Sequence, residues 1–257
     1  MIKVVIFMAY YLDIPYTFPG GIVKLFDLIV PPNYRKDIST LLVWVHGGGW
    51  NSGDKRIQNE FHRFCYRGYP MLAIEYRLSR NAPYPAQLID CKSAIRWARA
   101  HAAEYGIKAD RIIVGGGSAG GHLSAMLGLT SNTRKYDVGE NLEYSSAVDA
   151  VVDFCGPADL TGELLFRKYG SSLLSNDPEL AKEASPLQFV APDAPPFLIC
   201  HGDEAPSVPL SDSQRLRDAL TAVGVPVTYF EIPGAQHGFD HETVYRLLTE
   251  FITKHAI

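Results

Sequence analysis

The stretch that decides the fold is RIIVGGGSAGGHL, Arg111–Leu123. It begins as a short β-branched run, Arg111 to Val114, and from Ala119 to Thr130 continues as a row of small and apolar helix formers. Between the two, Gly116-Gly117-Ser118-Ala119-Gly120 places glycine on both sides of one serine. A strand that turns this sharply into a helix holds Ser118 in a strained, exposed position with its hydroxyl above the sheet, and the helix adds its positive amino-terminal dipole there. This reads as a nucleophile. Two other readings of the residues remain: a small-residue turn that lets a helix pack close to the sheet, and a phosphate cradle. The cradle is the poorer fit, because no lysine stands in the P-loop position and dinucleotide glycine spacing is absent.

Outward from this turn, short β-rich runs alternate with longer amphipathic ones. KLFDLIV (24–30) and LLVWVH (41–46), separated by a Pro-Pro-Asn turn, predict an antiparallel start. PMLAIEYR (70–77), RIIVGG (111–116), DAVVDFCG, PFLICHG and VTYFEIP predict further strands. Helices are predicted from Pro85 to Gly106, at SDSQRLRDALTAVG and at HETVYRLLTEFITKHAI. Alternation at this spacing implies parallel strands with right-handed crossovers, hence an α/β doubly wound sheet of about eight strands, helices on both faces and little or no cap. One domain spanning 1–257 is expected, with the irregular segment 157–196 as an excursion that flanks the site. Ligands on such sheets sit beyond the carboxyl ends of the strands.

Composition narrows the function. A net charge of −4, from 24 basic and 28 acidic residues without a basic run, offers no footprint for nucleic acid or an anionic membrane, so a small-molecule partner is expected. Cys65, Cys91, Cys155 and Cys200 each sit in an apolar stretch without metal spacing and read as free core thiols. The start, MIKVVIFMAYYLDIPY, has a short apolar run without a small-residue cleavage site and reads as a first strand of a cytoplasmic protein. Oligomeric state is not legible.

A second glycine cluster, His46-Gly47-Gly48-Gly49-Trp50, follows the LLVWV strand. Consecutive glycines let backbone N–H groups point into a site unobstructed, as a developing oxyanion requires. With the amide of Ala119, this loop completes an oxyanion hole; taken alone it is equally a flexible loop. Serine also needs a base. Of eight histidines, His237 in PGAQHGF lies on the ligand side of the sheet, between the VTYFEIP strand and the last helix. His46 and His201 close strands and read as structural, and His122 as packing or capping. Trp50, Tyr76 and Phe239 are candidate pocket walls, with core aromatics the competing reading.

HGGGW, YRLS (76–79), PAQLID with AIRWAR, GGSAGGHL, FCGPADL (154–160), the HG-x-x-x-x-x-VP loop and QHGF run in order from about residue 11 to 251. Together they resemble the α/β-hydrolase esterases related to hormone-sensitive lipase, most of all the small BD-FAE-type carboxylesterases. The resemblance implies a cofactor-free, metal-free serine carboxylesterase acting on acetyl, feruloyl-like or other small esters through an acyl-enzyme. Kynurenine formamidases share much of the pattern, so an arylformamidase is the alternative enzyme. A catalytically silent ligand-binding fold is the alternative outside enzymes. HGGG begins at residue 46, too early for the long amino-terminal cap of larger relatives, and an open site is expected.

The resemblance also exposes a departure. It implies an aspartate four residues after the histidine of HG-x-x-D-x-x-VP, and in His201-Gly-Asp-Glu-Ala-Pro-Ser-Val-Pro209 that position is Ala205. Three readings stand. Asp203, on the same side of an extended stretch but about 6–7 Å back, or Glu204, with its longer side chain, replaces the acid. Otherwise the acid is lost and the esterase is impaired, or both acids are merely solvated and the protein binds without catalysis.

Overall fold

The apolar Ile112–Val114 run needs cover on both faces, and it has it in the computed structural model, which describes residues 8–17, 23–35, 37–56, 59–238 and 241–256. Its strand, Arg111–Gly117, lies inside an eight-stranded sheet. The strands are β1 (Ala9–Thr17), β2 (Val23–Val30), β3 (Thr40–Val45), β4 (Met71–Ile74), β5 (Arg111–Gly117), β6 (Ala150–Phe154), β7 (Phe197–Gly202) and β8 (Val227–Ile232). The helices are α1 (His62–Cys65), α2 (Ala86–His101), α3 (Ala119–Leu129), α4 (Glu163–Leu173), α5 (Pro178–Glu183), α6 (Leu210–Ala222) and α7 (Glu242–His255). Strand order is β1-β2-β4-β3-β5-β6-β7-β8, with β1, β2 and β4 paired antiparallel and every pair from β4 to β8 parallel. This is the α/β-hydrolase fold.

Period-two alternation along the strands sorts the core into two layers. Leu41, Val43 and Val45 of β3 face the layer that contains Leu88 and Ile95 of α2, Leu123 and Met126 of α3, and Leu216 and Leu220 of α6. Leu42 and Trp44 face the other, with Phe64 of α1 and Val244, Leu248 and Phe251 of α7. The four cysteines are buried and unbridged. Among the described residues, no helix is long and apolar enough to cross a membrane.

The structure corrects two local expectations. β2 and β3 are not neighbours, because β4 lies between them, pairing antiparallel with β2 and parallel with β3. The crossover through α1 carries the chain past β3 before it re-enters the sheet, and a turn signal between two runs does not report such an insertion. The segment 157–196 is more regular than expected, holding α4, α5 and a 3-10 turn at Pro186–Phe189. Asp177, whose carboxylate accepts from Glu179 N–H at 2.9 Å, followed by Pro178 in the first turn, is a helix start that the sequence carries openly. Gly162 at the start of α4, with no side-chain cap, and Gly170-Ser171-Ser172 inside it hide that helix. The predicted first strand starts at Ala9, and residues 1–7 lie outside the described set.

Candidate active site

Ser118 stands between β5 and α3 with φ 56° and ψ −120°, a conformation costly for a side-chain-bearing residue and maintained only where its surroundings enforce it. Enforcement comes from backbone. Ser118 N–H donates to the Phe154 carbonyl at the end of β6 at 2.7 Å, and its own carbonyl accepts from His122 N–H at 3.0 Å. Gly120 lies so close to β3 that a Cβ there would be 2.0 Å from the Val45 carbonyl oxygen. Only glycine lets α3 start at this point, and the turn follows from that close approach.

The loop after β3 packs against the same turn. A Cβ on Gly47 would fall 2.7 Å from the Gly117 carbonyl oxygen and 3.5 Å from Ser118 Cβ. The Gly48 carbonyl accepts from Asn51 and Ser52 N–H at 3.1 and 3.0 Å and from the Ser52 hydroxyl at 3.0 Å, closing the loop on itself. Ala119, as the first residue of α3, has an N–H without a carbonyl four residues back in the helix. Gly47 and Gly48 line a cavity of about 470 Å³ together with Trp44, Glu60, Ser118, Phe154 and His237. Gly49 is not among its walls and faces the Tyr169 ring of α4.

Trp50 and Tyr76, expected as pocket walls, are braces beneath the loop. Trp50 is 1% exposed, donates from Nε1 to His122 Nδ1 at 3.2 Å and packs edge-on against Tyr169 with ring centroids 5.0 Å apart. Tyr76 stacks on the His46 ring at 4.2 Å and donates its hydroxyl to the His46 carbonyl at 2.9 Å. Each polar tip finds a buried partner, which fixes these rings inside the fold. Phe239 lies outside the described residues. Further along the loop, Lys55, 1% exposed, reaches Asp13 at 2.6 Å and Asp27 at 2.7 Å. Asp13 is the positive-φ residue of a bulge between β1 and β2, and its N–H donates to Asp27 at 2.9 Å, so the first hairpin grips the loop that carries the glycines.

Three histidines are committed elsewhere. His46 Nδ1 lies 2.7 Å from the Gly47 carbonyl. His122 and His201 are buried, and burial holds both down to about 4, so they are neutral packing rings. His122 Nε2 lies 2.6 Å from the Ala184 carbonyl, and His201 Nδ1 lies 2.7 Å from Ser213 Oγ. His237 alone of the histidines lines the cavity with Ser118. Burial, and then the positive charge of Lys168 on α4, push it below the ordinary imidazole range. It is therefore neutral near pH 7, the form a general base needs.

The acid loop is the incomplete part. Asp203 is exposed and accepts from Gly234 N–H at 2.8 Å, holding the turn after β8. The Glu204 side chain is exposed, while its N–H donates to the Ala235 carbonyl at 3.0 Å. His237 Nδ1 is buried and has no hydrogen-bond partner among the described residues. The structure thus brings Ser118, His237, Gly47 and Gly48 into one cavity and does not bring Asp203 or Glu204 to His237 Nδ1. Sequence reasoning missed Trp44, Glu60 and Phe154 as walls. Trp44 and Phe154 read as alternating strand residues, and only their position at the strand ends exposes them to the cleft.

The BD-FAE family model matches residues 26–220. Esterase LipC of Mycobacterium tuberculosis is 36% identical over 223 residues, which cover 80% of this chain and 55% of that protein. The chain spans about half the length of the curated relatives it matches. A truncated form of a carbohydrate esterase from gut microbiota superposes with a TM-score of 0.84 at 26% identity, covering 98% of this chain and 97% of that one. The butyrate-bound esterase Est2 of Thermogutta terrifontis superposes with a TM-score of 0.78 at 26% identity, covering 94% of each chain. A family match from β2 through most of α6, over the turn, the glycine loop and the Ala205 loop alike, leaves one assignment: the chain belongs to the BD-FAE family.

Proposed function

We propose that the chain is a serine carboxylesterase that hydrolyses small acyl or aromatic esters, acetyl- or feruloyl-like, through an acyl-enzyme. The observation that carries this reading is Ser118 at φ 56°, opening into a cavity that His237, Gly47 and Gly48 also line. His237 Nε2 takes the proton of Ser118, and the serine oxygen attacks the ester carbonyl. Amides of Gly47 and Gly48 and of Ala119 receive the oxyanion. The alcohol leaves with the proton from His237, and water then repeats the sequence on the acyl-enzyme. A volume of about 470 Å³ suits a small ester, and the likeness to Est2, whose structure holds butyrate, supports a short acyl group. Among the described residues no carboxylate partners His237 Nδ1, so the reading is of an impaired esterase.

Labelling with a fluorophosphonate tests it. A covalent adduct at Ser118, lost in Ser118→Ala, is expected; no adduct at any pH overturns the enzyme and leaves a silent binding fold. Comparing acetyl ester, feruloyl ester and N-formylkynurenine turnover then separates esterase from arylformamidase.

A further inference from the structure

The Nδ1 of His237 is buried and without a partner among the described residues, which bears on ligands. A buried polar atom without a partner is costly, and the cost grows when His237 takes a proton and Nδ1–H meets no acceptor among the described residues. The neighbouring turn, residues 202–205, is held by backbone contacts. Gly202 pairs with Ile232 across β7 and β8, and a Cβ on Gly202 would lie 2.3 Å from both the Ala235 and Gln236 carbonyl oxygens. Glu204 N–H is tied to Ala235 at 3.0 Å, and Ala205 N–H donates to the Gly202 carbonyl at 3.1 Å. This stitching sets the turn against the residues that lead directly into His237. Of its two acids, Asp203 is engaged by Gly234 and Glu204 faces solvent, while Ala205 is half-buried and reachable from outside. The Lys168 charge that acts on His237 favours an anion nearby.

We propose that the Nδ1 side of His237 faces the 202–205 turn, which packs on Ala235 and Gln236, that it is a binding site for a small monocarboxylate of the formate or acetate class, and that the bound carboxylate serves as the third member of the catalytic set. This rests on the Ser118–His237 reading. Formate has the same heavy atoms as a side-chain carboxyl group. In the bound state it accepts a hydrogen bond from Nδ1–H, which fixes the tautomer with Nε2 free to receive the Ser118 proton. It then faces the imidazolium without taking its proton. Hydrolysis of a short-chain ester releases an acid of this same class, so the enzyme is activated by its own product.

The test is hydrolysis of para-nitrophenyl butyrate by the full chain, titrated with sodium formate and sodium acetate at constant ionic strength, with sodium chloride and bulky pivalate as controls. The expected result is a saturable rise in kcat of at least about tenfold with formate, a fraction of the roughly 10⁴-fold that a triad carboxylate contributes in serine proteases. Chloride and pivalate give none. Ala205→Asp is active without formate and does not respond to it. The proposal is overturned if Ala205→Asp is active while the unaltered chain ignores formate and acetate. An equal formate response in Ala205→Asp also overturns it. If neither protein hydrolyses the ester or takes a fluorophosphonate at Ser118, the Ser118–His237 reading itself fails, an outcome distinct from the others.

Discussion

Lys55 Nζ lies 2.7 Å from the Asp27 carboxylate, with 1% of the lysine side chain and 9% of the aspartate side chain exposed. The pair joins the second strand of the first hairpin to the loop that begins with the glycines at the cavity. Removing one partner of a buried ion pair leaves the other charged and unsolvated, at a cost of about 3–5 kcal/mol. Lys55→Met is therefore expected to lower the melting temperature and to slow fluorophosphonate labelling of Ser118. Lys55→Met with Asp27→Asn recovers part of the stability. Unchanged melting and unchanged labelling in the single variant would sink this account.

The second expectation concerns pH. Burial and Lys168 lower the His237 pKa from its ordinary 6.5. Protonated His237 cannot act as base, so the acid limb of kcat/KM falls below pH 6.5, and activity extends to lower pH than an exposed imidazole allows. Lys168→Met removes one of the two causes and moves that limb upward. A limb that moves down, or one already above 6.5 in the unaltered protein, contradicts the assignment of His237.

Gly120→Ala tests the turn. Its added methyl would meet the Val45 carbonyl at 2.0 Å, and both are backbone, so neither can swing aside. Overpacking of this kind costs about 1–3 kcal/mol or more. The expected outcome is a protein with a lowered melting temperature and little or no covalent labelling at Ser118. Normal labelling would mean that α3 can shift away from β3 without disturbing Ser118.

Asp153, fully enclosed at the end of β6, is pushed up to about 7 by burial, against a hydrogen bond from Gly156 N–H, and further by the charge of Asp212. Its folded-state pKa exceeds the unfolded value of 3.8. The native state holds the proton more tightly, so stability falls as pH rises from about 4 to about 7 and levels off above. Asp153→Asn keeps an acceptor for Gly156 and removes the titration. Melting curves of the variant should show a shallower loss across this window; an identical slope in both proteins refutes the assignment.

Much of this was legible in the sequence because two glycine clusters stand at strand ends. Gly116-Gly117-Ser118-Ala119-Gly120 and His46-Gly47-Gly48-Gly49 are patterns whose only requirement is backbone proximity, which sequence reports well. What it reports poorly is the direction of a large side chain. Trp50 and Tyr76 stand beside functional residues in the chain, yet their hydroxyl and indole N–H find partners in the interior, at His46 and His122, and the rings follow them inward. Likewise, a carboxylate in the loop after β7 is not a carboxylate at His237. Asp203 is drawn to the free N–H of Gly234, a partner that no spacing rule between Asp203 and His237 reveals.

In the β3–β5 ladder Val45 pairs with Gly116, so the last residue before the glycine loop and the strand that ends at Ser118 share one hydrogen-bonded register. These partners are distant in the chain, and pairings of that kind form slowly. Covalent reactivity at Ser118 is therefore a clock for refolding: it returns with the central parallel pair and not with the helices, whatever fraction of helical signal is recovered earlier.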